Sequence, residues 1–172
     1  MKLLDKAKFA VVAAPASIQT QAFDNTTYLL GDYIHMAMYN QCTFVILNGV
    51  SAATSTVNIY QATSAAGGSA KVVQGCSYRY TATATSAASD TWVKTAMTST
   101  GLFTHPAANY TSHIIEVHAS QLDLANSFEW VTVNMGATGT GSTLCAVLAI
   151  LTEPRVISGE ESGQGTYQTS LT

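Results

Sequence analysis

The apolar residues of this chain recur with a period of two, not 3.6. Val57-Asn58-Ile59-Tyr60-Gln61 alternates, as do Tyr78 to Thr85 and Phe128 to Asn134. His113 to His118 is β-rich, and Thr91 to Lys94 is a short run between polar flanks. Phe44-Val45-Ile46-Leu47 is a compact apolar run followed by Asn48-Gly49, which reads as a turn, and Thr143 to Thr152 reads as a longer, more buried strand. Alternation puts successive side chains on opposite faces of an extended strand, which a helix cannot reproduce. Between the runs lie clusters of small residues: Ala65 to Ser69, Ser86 to Asp90 and Gly136 to Ser142. Short strands separated by such clusters predict an all-β fold, an antiparallel β-sandwich or jelly roll.

One segment departs from the alternation. Ala119 to Asn126 sits between two strands and carries Ser120 and Asp123 at capping spacing, predicting one short helical turn near 119–125 that crosses between sheets. The ends also differ from the middle. Residues 1–24 open with Lys2, Lys6 and Lys8 among apolar residues, and 154–172 are rich in Gly, Glu and Ser. Pro154 cannot donate to a sheet ladder. The expected organisation is an N-terminal arm (1–24), a sandwich domain (25–153) and a C-terminal tail (154–172).

Charge narrows the function. Only 10% of residues are charged, and more than a third are Ala, Thr or Ser. Between Lys8 and Arg155 the cations are Lys71, Arg79 and Lys94 alone. That is too few to neutralise a phosphate backbone, so no nucleic-acid partner is expected. The longest apolar run, Leu144 to Leu151, is far short of the ~18 residues of a spanning helix, so no membrane partner is expected either. Asp5, Lys6 and Lys8 interrupt the N-terminal apolar stretch and argue against a signal peptide. Cys42, Cys76 and Cys145 are widely spaced and read as buried thiols in a reducing compartment.

Motifs for chemistry are weak. Gly136 to Thr143 imitates a phosphate loop, but Ser142 stands where the lysine belongs and a strand follows instead of a helix; it reads as a hairpin loop. His113 and His118 fall on opposite faces of one strand, so they cannot share a metal there, while Glu116 and His118 share a face. Glu116 and His118 read as solvent-facing or interfacial. No Gly-x-Ser-x-Gly elbow is present, and carboxylates are too sparse for a glycosidase pair. Tyr78 and Tyr80 share a face opposite Arg79, an arrangement that suits either sugar stacking or ordinary packing. No enzyme activity, cofactor or metal is expected.

The stretch Ile114 to Phe128, a strand followed by Leu122-Asp123-Leu124-Ala125-Asn126 and then an aromatic, leads into Trp130 to Asn134, a Gly/Thr loop, a long apolar strand and Pro154-Arg155. Over about 25–156 this pattern resembles small structural proteins of tailed bacteriophages found among capsid genes. The resemblance implies a jelly-roll head decoration (cement) protein: a homotrimer made in the host cytoplasm, carried on the capsid exterior of the virion and partnered by the major capsid protein. Such a protein binds the assembled head and stabilises it. A surface of Thr, Ser and Ala with few charges loses little side-chain entropy and little charge solvation when covered. The candidate capsid and inter-subunit contacts are Lys2, Lys6, Lys8, Phe9, Pro154, Arg155 and Tyr167. The alternatives are a carbohydrate- or receptor-binding module using Tyr78, Tyr80, Trp92 and the Gly136–Ser142 loop, and a tail or connector subunit.

Overall fold

A computed structural model describes residues 7–17, 32–83, 91–136 and 143–155. They form an all-β fold of two antiparallel sheets in a sandwich-like arrangement. The strands in chain order are β1 (Lys8–Ser17), β2 (Ile34–His35), β3 (Tyr39–Ser51), β4 (Ser55–Ala62), β5 (Lys71–Val72), β6 (Tyr78–Thr83), β7 (Val93–Ala96), β8 (Phe103–His105), β9 (Thr111–His118), β10 (Trp130–Met135) and β11 (Thr143–Pro154). The larger sheet has six strands in the order β1-β11-β3-β9-β6-β7. The smaller runs β2-β10-β4-β5, with β8 also paired to β4.

The core lies between the sheets and follows from the alternation. Phe44 and Ile46 of β3, Ile115 and Val117 of β9, and Val147 and Leu151 of β11 point inward from the larger sheet. Val57 and Ile59 of β4 and Val131, Val133 and Met135 of β10 meet them from the other. Burying each such side chain is worth about 1.5–3 kcal/mol. Phe44 is fully buried, so truncating it to Ala removes about 3–5 kcal/mol.

The crossing segment sits where the sequence placed it, between β9 in one sheet and β10 in the other, and folds as two 3₁₀ turns, Ala119–Gln121 and Leu124–Asn126. The capping differs from the expected Ser120–Asp123 arrangement. The His118 side chain accepts from Ser120 N, and the Gln121 side chain accepts from His118 N. Asp123 holds the second turn by another route. Its carboxylate takes Lys71 Nζ and the Asn126 amide, and its backbone N donates to Gln61 Oε1 at 2.8 Å.

Three expectations about strand limits change. Residues 8–17, expected in an arm outside the sandwich, form edge strand β1 on β11. Their alternation is hidden by two register shifts, between Val11 and Ala13 and between Ala13 and Ala16. Asn48-Gly49 is not a turn, because β3 runs through it to Ser51. Asn48 Nδ2 donates to Thr111 O, Gly49 O accepts from Tyr110 N, and a Cβ on Gly49 would lie 3.4 Å from Leu144 Cβ. Those contacts keep the pair inside the sheet. The Gly136–Ser142 loop, expected as a hairpin, joins β10 to β11 in different sheets and so is a crossover.

Candidate interaction surface

The outer face of the six-stranded sheet is largely apolar at its centre. Strand register sets out one continuous row across all six strands: Val11, Leu148, Val45, Ile114, Tyr80 and Lys94. A second row runs Phe9, Ile150, Thr43 and Glu116, and a third runs Ala146, Leu47, Ser112 and Ala82. Leu144 extends the face at one end. Directly opposed residues in an antiparallel pair share a face. Hence Val11, Leu47 and Leu144, which are 61%, 50% and 48% exposed, belong to one patch. The apolar run Leu144 to Leu151 thus splits between core and outer face. An antiparallel sheet with one solvated face normally shows apolar-in, polar-out alternation on that side, and β11 does not. The charges in these three rows are Lys94 and Glu116, neither in the middle of the patch.

At ~4.8 Å between strands and ~6.8 Å between outward residues, the fourteen positions of the three rows cover roughly 460 Å². A standard interface takes about 800 Å² per partner, so the patch supplies a little over half of one. The sheet edges are less inviting. β1 is bulged, carries Pro15 and places Lys8 on the inward side by its register with Leu151, and β7 has only four residues.

The candidate contact residues distribute as follows. Phe9 joins the outer face. Lys8 lies on β1 but on the opposite side from Phe9. Pro154 pairs with Tyr39 at the end of β11, and Arg155 donates from N to Met38 O and from Nε to Asn40 Oδ1, so both fasten β11 to β3 rather than standing in a free tail. Lys2, Lys6 and Tyr167 lie outside the described residues. Tyr78 and Tyr80 share one face of β6, as predicted, and it is the outer one, with Lys94 Nζ 4.1 Å above the Tyr78 ring. That cation occupies one ring face a sugar would need. Trp92 is exposed, and of the Gly136–Ser142 loop only Gly136 is described.

A polar chain lies inside the sandwich. His105 Nδ1 is 3.0 Å from His113 Nε2, His105 Nε2 is 3.2 Å from Ser51 Oγ, and His113 Nδ1 is 3.1 Å from Thr81 Oγ1. Ser51 Oγ also reaches Ala53 O at 3.1 Å and Thr143 Oγ1 at 3.3 Å. One assignment of protons satisfies the whole chain: Thr81 donates to His113, His113 to His105, His105 to Ser51, and Ser51 to Ala53 O. Both imidazoles are then neutral. Burial first, and the Arg79 charge after it, hold His105 down at about 4; burial, His105 and Arg79 hold His113 down at about 3. The grouping has the outline of a Ser-His relay, yet both rings are fully buried and Ser51 nearly so. A substrate has no path to it, so it acts as a polar bolt. His113 lies on the face of β9 opposite His118, as the spacing placed it. Its shared parity with Ile115 and Val117 is the signal that would have placed it inside.

His118 and Glu116 do share the exposed side of β9, but among the described residues no three His, Cys, Asp or Glu side chains converge as metal ligands would. The three cysteines are buried and unpaired, as the spacing predicted.

No protein-family model matches the chain, and comparison with curated proteins found no match. Among solved structures, the SPBc2 prophage-derived protein YomS is similar at 10% identity and a TM-score of 0.39, over 84% of this chain and 92% of that one. The infectious bursal disease virus VP2 subviral particle is similar at 12% identity and a TM-score of 0.23, over 87% of this chain but 42% of that one. Likenesses this distant fix no shared function.

Proposed function

We propose that this protein is a virion structural subunit, a head decoration protein that self-associates as a homotrimer and cements the assembled capsid. The observation that carries the reading is the apolar outer face of the six-stranded sheet. Contiguous apolar surface of this extent, rimmed by polar residues, often marks a contact site, so the face is suited to being covered. The first occupant is a second copy, because obligate self-contacts resemble a core cut in half, whereas surfaces that meet a partner later are more polar. The phage-like pattern around Leu122 to Asn126 supports the virion setting. The role is structural rather than catalytic: each subunit makes weak contacts with the major capsid protein, and trimerisation converts them into avidity.

The test is co-sedimentation of purified protein with undecorated heads of the phage that encodes it. Saturable binding at a fixed ratio to the major capsid protein is the expected result. Protein that stays in the supernatant at saturating concentration overturns the decoration role. Native mass spectrometry addresses the oligomer separately: a trimer is expected, and a larger ring would favour a tail or connector subunit.

A further inference from the structure

Among the three cations between Lys8 and Arg155, Arg79 alone faces inward. Lys71 is held by Asp123, and Lys94 lies over Tyr78 on the outer face. Arg79 points the other way, toward the space between the sheets, where β6 and β7 face the start of β8. Its guanidinium carbon sits 4.2 Å above the Phe103 ring, and Nη1 donates to Ala96 O at 3.2 Å. Nε is buried without a partner, and among the described residues no carboxylate pairs with the side chain. Around it is an open cleft of about 490 Å³, walled by Met97, Leu102 and Phe103 with Thr98 and Thr104 at its polar side.

We propose that this cleft receives an acidic side chain, Asp or Glu, from a protein partner. A guanidinium matches a carboxylate fork to fork, and such charge-assisted pairs are stronger than neutral hydrogen bonds. The Phe103 stack and the Ala96 bond already fix the Arg79 rotamer, so little side-chain entropy remains to be lost on binding. Phosphate fits less well, because no second cation stands beside Arg79. A carboxylate on a peptide or protein chain suits the open cleft, because the residues flanking it can cover the mouth. A partner protein closes the mouth with the surface around its carboxylate. Arginine in such a setting is a frequent anchor of protein interfaces.

The test uses the full chain labelled with ¹⁵N and follows the Arg79 Nε–H resonance and the Met97 methyl. The probes are a blocked Gly-Glu-Gly peptide, its Gly-Gln-Gly counterpart and inorganic phosphate. Saturable shifts are expected with the Glu peptide, weaker by about tenfold or more with the Gln peptide and with phosphate, and Arg79→Lys should weaken Glu-peptide binding by a similar factor at the Met97 methyl. Absence of a saturable shift, equal response to Glu and Gln, or tighter binding of phosphate overturns the proposal. The comparison of probes on the unaltered protein decides it even if Arg79→Lys folds poorly. None of these outcomes depends on capsid binding or trimerisation.

Discussion

His113 on β9 and His105 on β8 share a 3.0 Å hydrogen bond that links the two sheets across the core. Neither ring can take up a proton without placing a charge in the interior beside the Arg79 guanidinium. In the unfolded chain both titrate near 6.5. The folded values are depressed, so below about pH 6.5 the unfolded state binds more protons and stability falls as pH falls. The loss continues down to pH 4 and 3, where the folded rings titrate. Each tenfold drop in a ring's proton affinity on folding is worth about 1.4 kcal/mol, so the pair accounts for several kcal/mol. Urea midpoints at pH 7.5, 5.5 and 4.5 should decline in that order, and His113→Asn, though less stable at pH 7.5, should show a shallower decline. A midpoint flat from pH 7.5 to 4.5 would show that the rings are not buried neutral.

The outer face predicts a separation of assembly from folding. Val11 and Leu47 are at least half exposed in the monomer, so Val11→Lys and Leu47→Lys should each change monomer stability by only about 0.5 kcal/mol. Two buried, unpaired ammonium groups per subunit would nevertheless oppose any contact that covers the patch. Sedimentation velocity should show the double variant as a folded monomer at concentrations where the unaltered protein is oligomeric. An unchanged oligomer would move the self-contact to another surface.

The larger part of the fold was legible because alternation is a local property of the chain. Phe44 to Leu47, Val57 to Gln61 and His113 to His118 all became strands. What escaped depended on partners distant in sequence. Lys8 to Ser17 pairs with Leu144 to Leu151, more than a hundred residues away, and its bulges break the period. Asn48-Gly49 has turn composition, but Thr111, Tyr110 and Leu144 hold it in the sheet. Of the candidate contact residues, Phe9 proved to lie on the apolar face, whereas Pro154 and Arg155 are occupied by β3. The outer face itself was visible only in part, as the run Leu144 to Leu151. Its continuity across six strands follows from register, which a single sequence does not reveal.

Asp123 gives the phage-like Leu-Asp-x-Ala-Asn pattern a mechanical meaning. Its carboxylate binds Lys71 of β5 and Asn126 of the second 3₁₀ turn, and Lys71 Nζ also lies 3.9 Å from the Phe128 ring centre. Lys71 and Asn126 hold the carboxyl below the usual aspartate range. The group is exposed, so its ion pair alone contributes little. The turn hydrogen bonds matter more, because they fix the crossing from β9 to β10. Asp123→Ala should increase hydrogen exchange at Asn126 and Ser127 while leaving β9 and β10 protected. Asp123→Asn should preserve most of that protection by retaining an acceptor for Asn126. Equal loss in both variants would assign the effect to the Lys71 pair instead.

The thiols offer a check on the packing that is independent of assembly. Cys42 faces the core from β3, Cys145 from β11 against Met135 Sδ at 3.3 Å, and Cys76 borders Gly101. Burial pushes Cys76 up to about 11 and Cys145 up to about 12, and raises Cys42 further, with a smaller contribution from Cys76. A thiol attacks as its thiolate, so at pH 8 the reactive fraction is far below that of a free cysteine, and burial excludes the reagent as well. A disulfide reagent should therefore modify the native protein only at the rate of opening, and all three thiols at once after denaturation. Cys76 is the least deeply placed and should react first under mild destabilisation, ahead of Cys42 and Cys145. Rapid native modification at Cys42 or Cys145 would mean that β3 and β11, the strands that carry the outer face, do not pack as the structure shows.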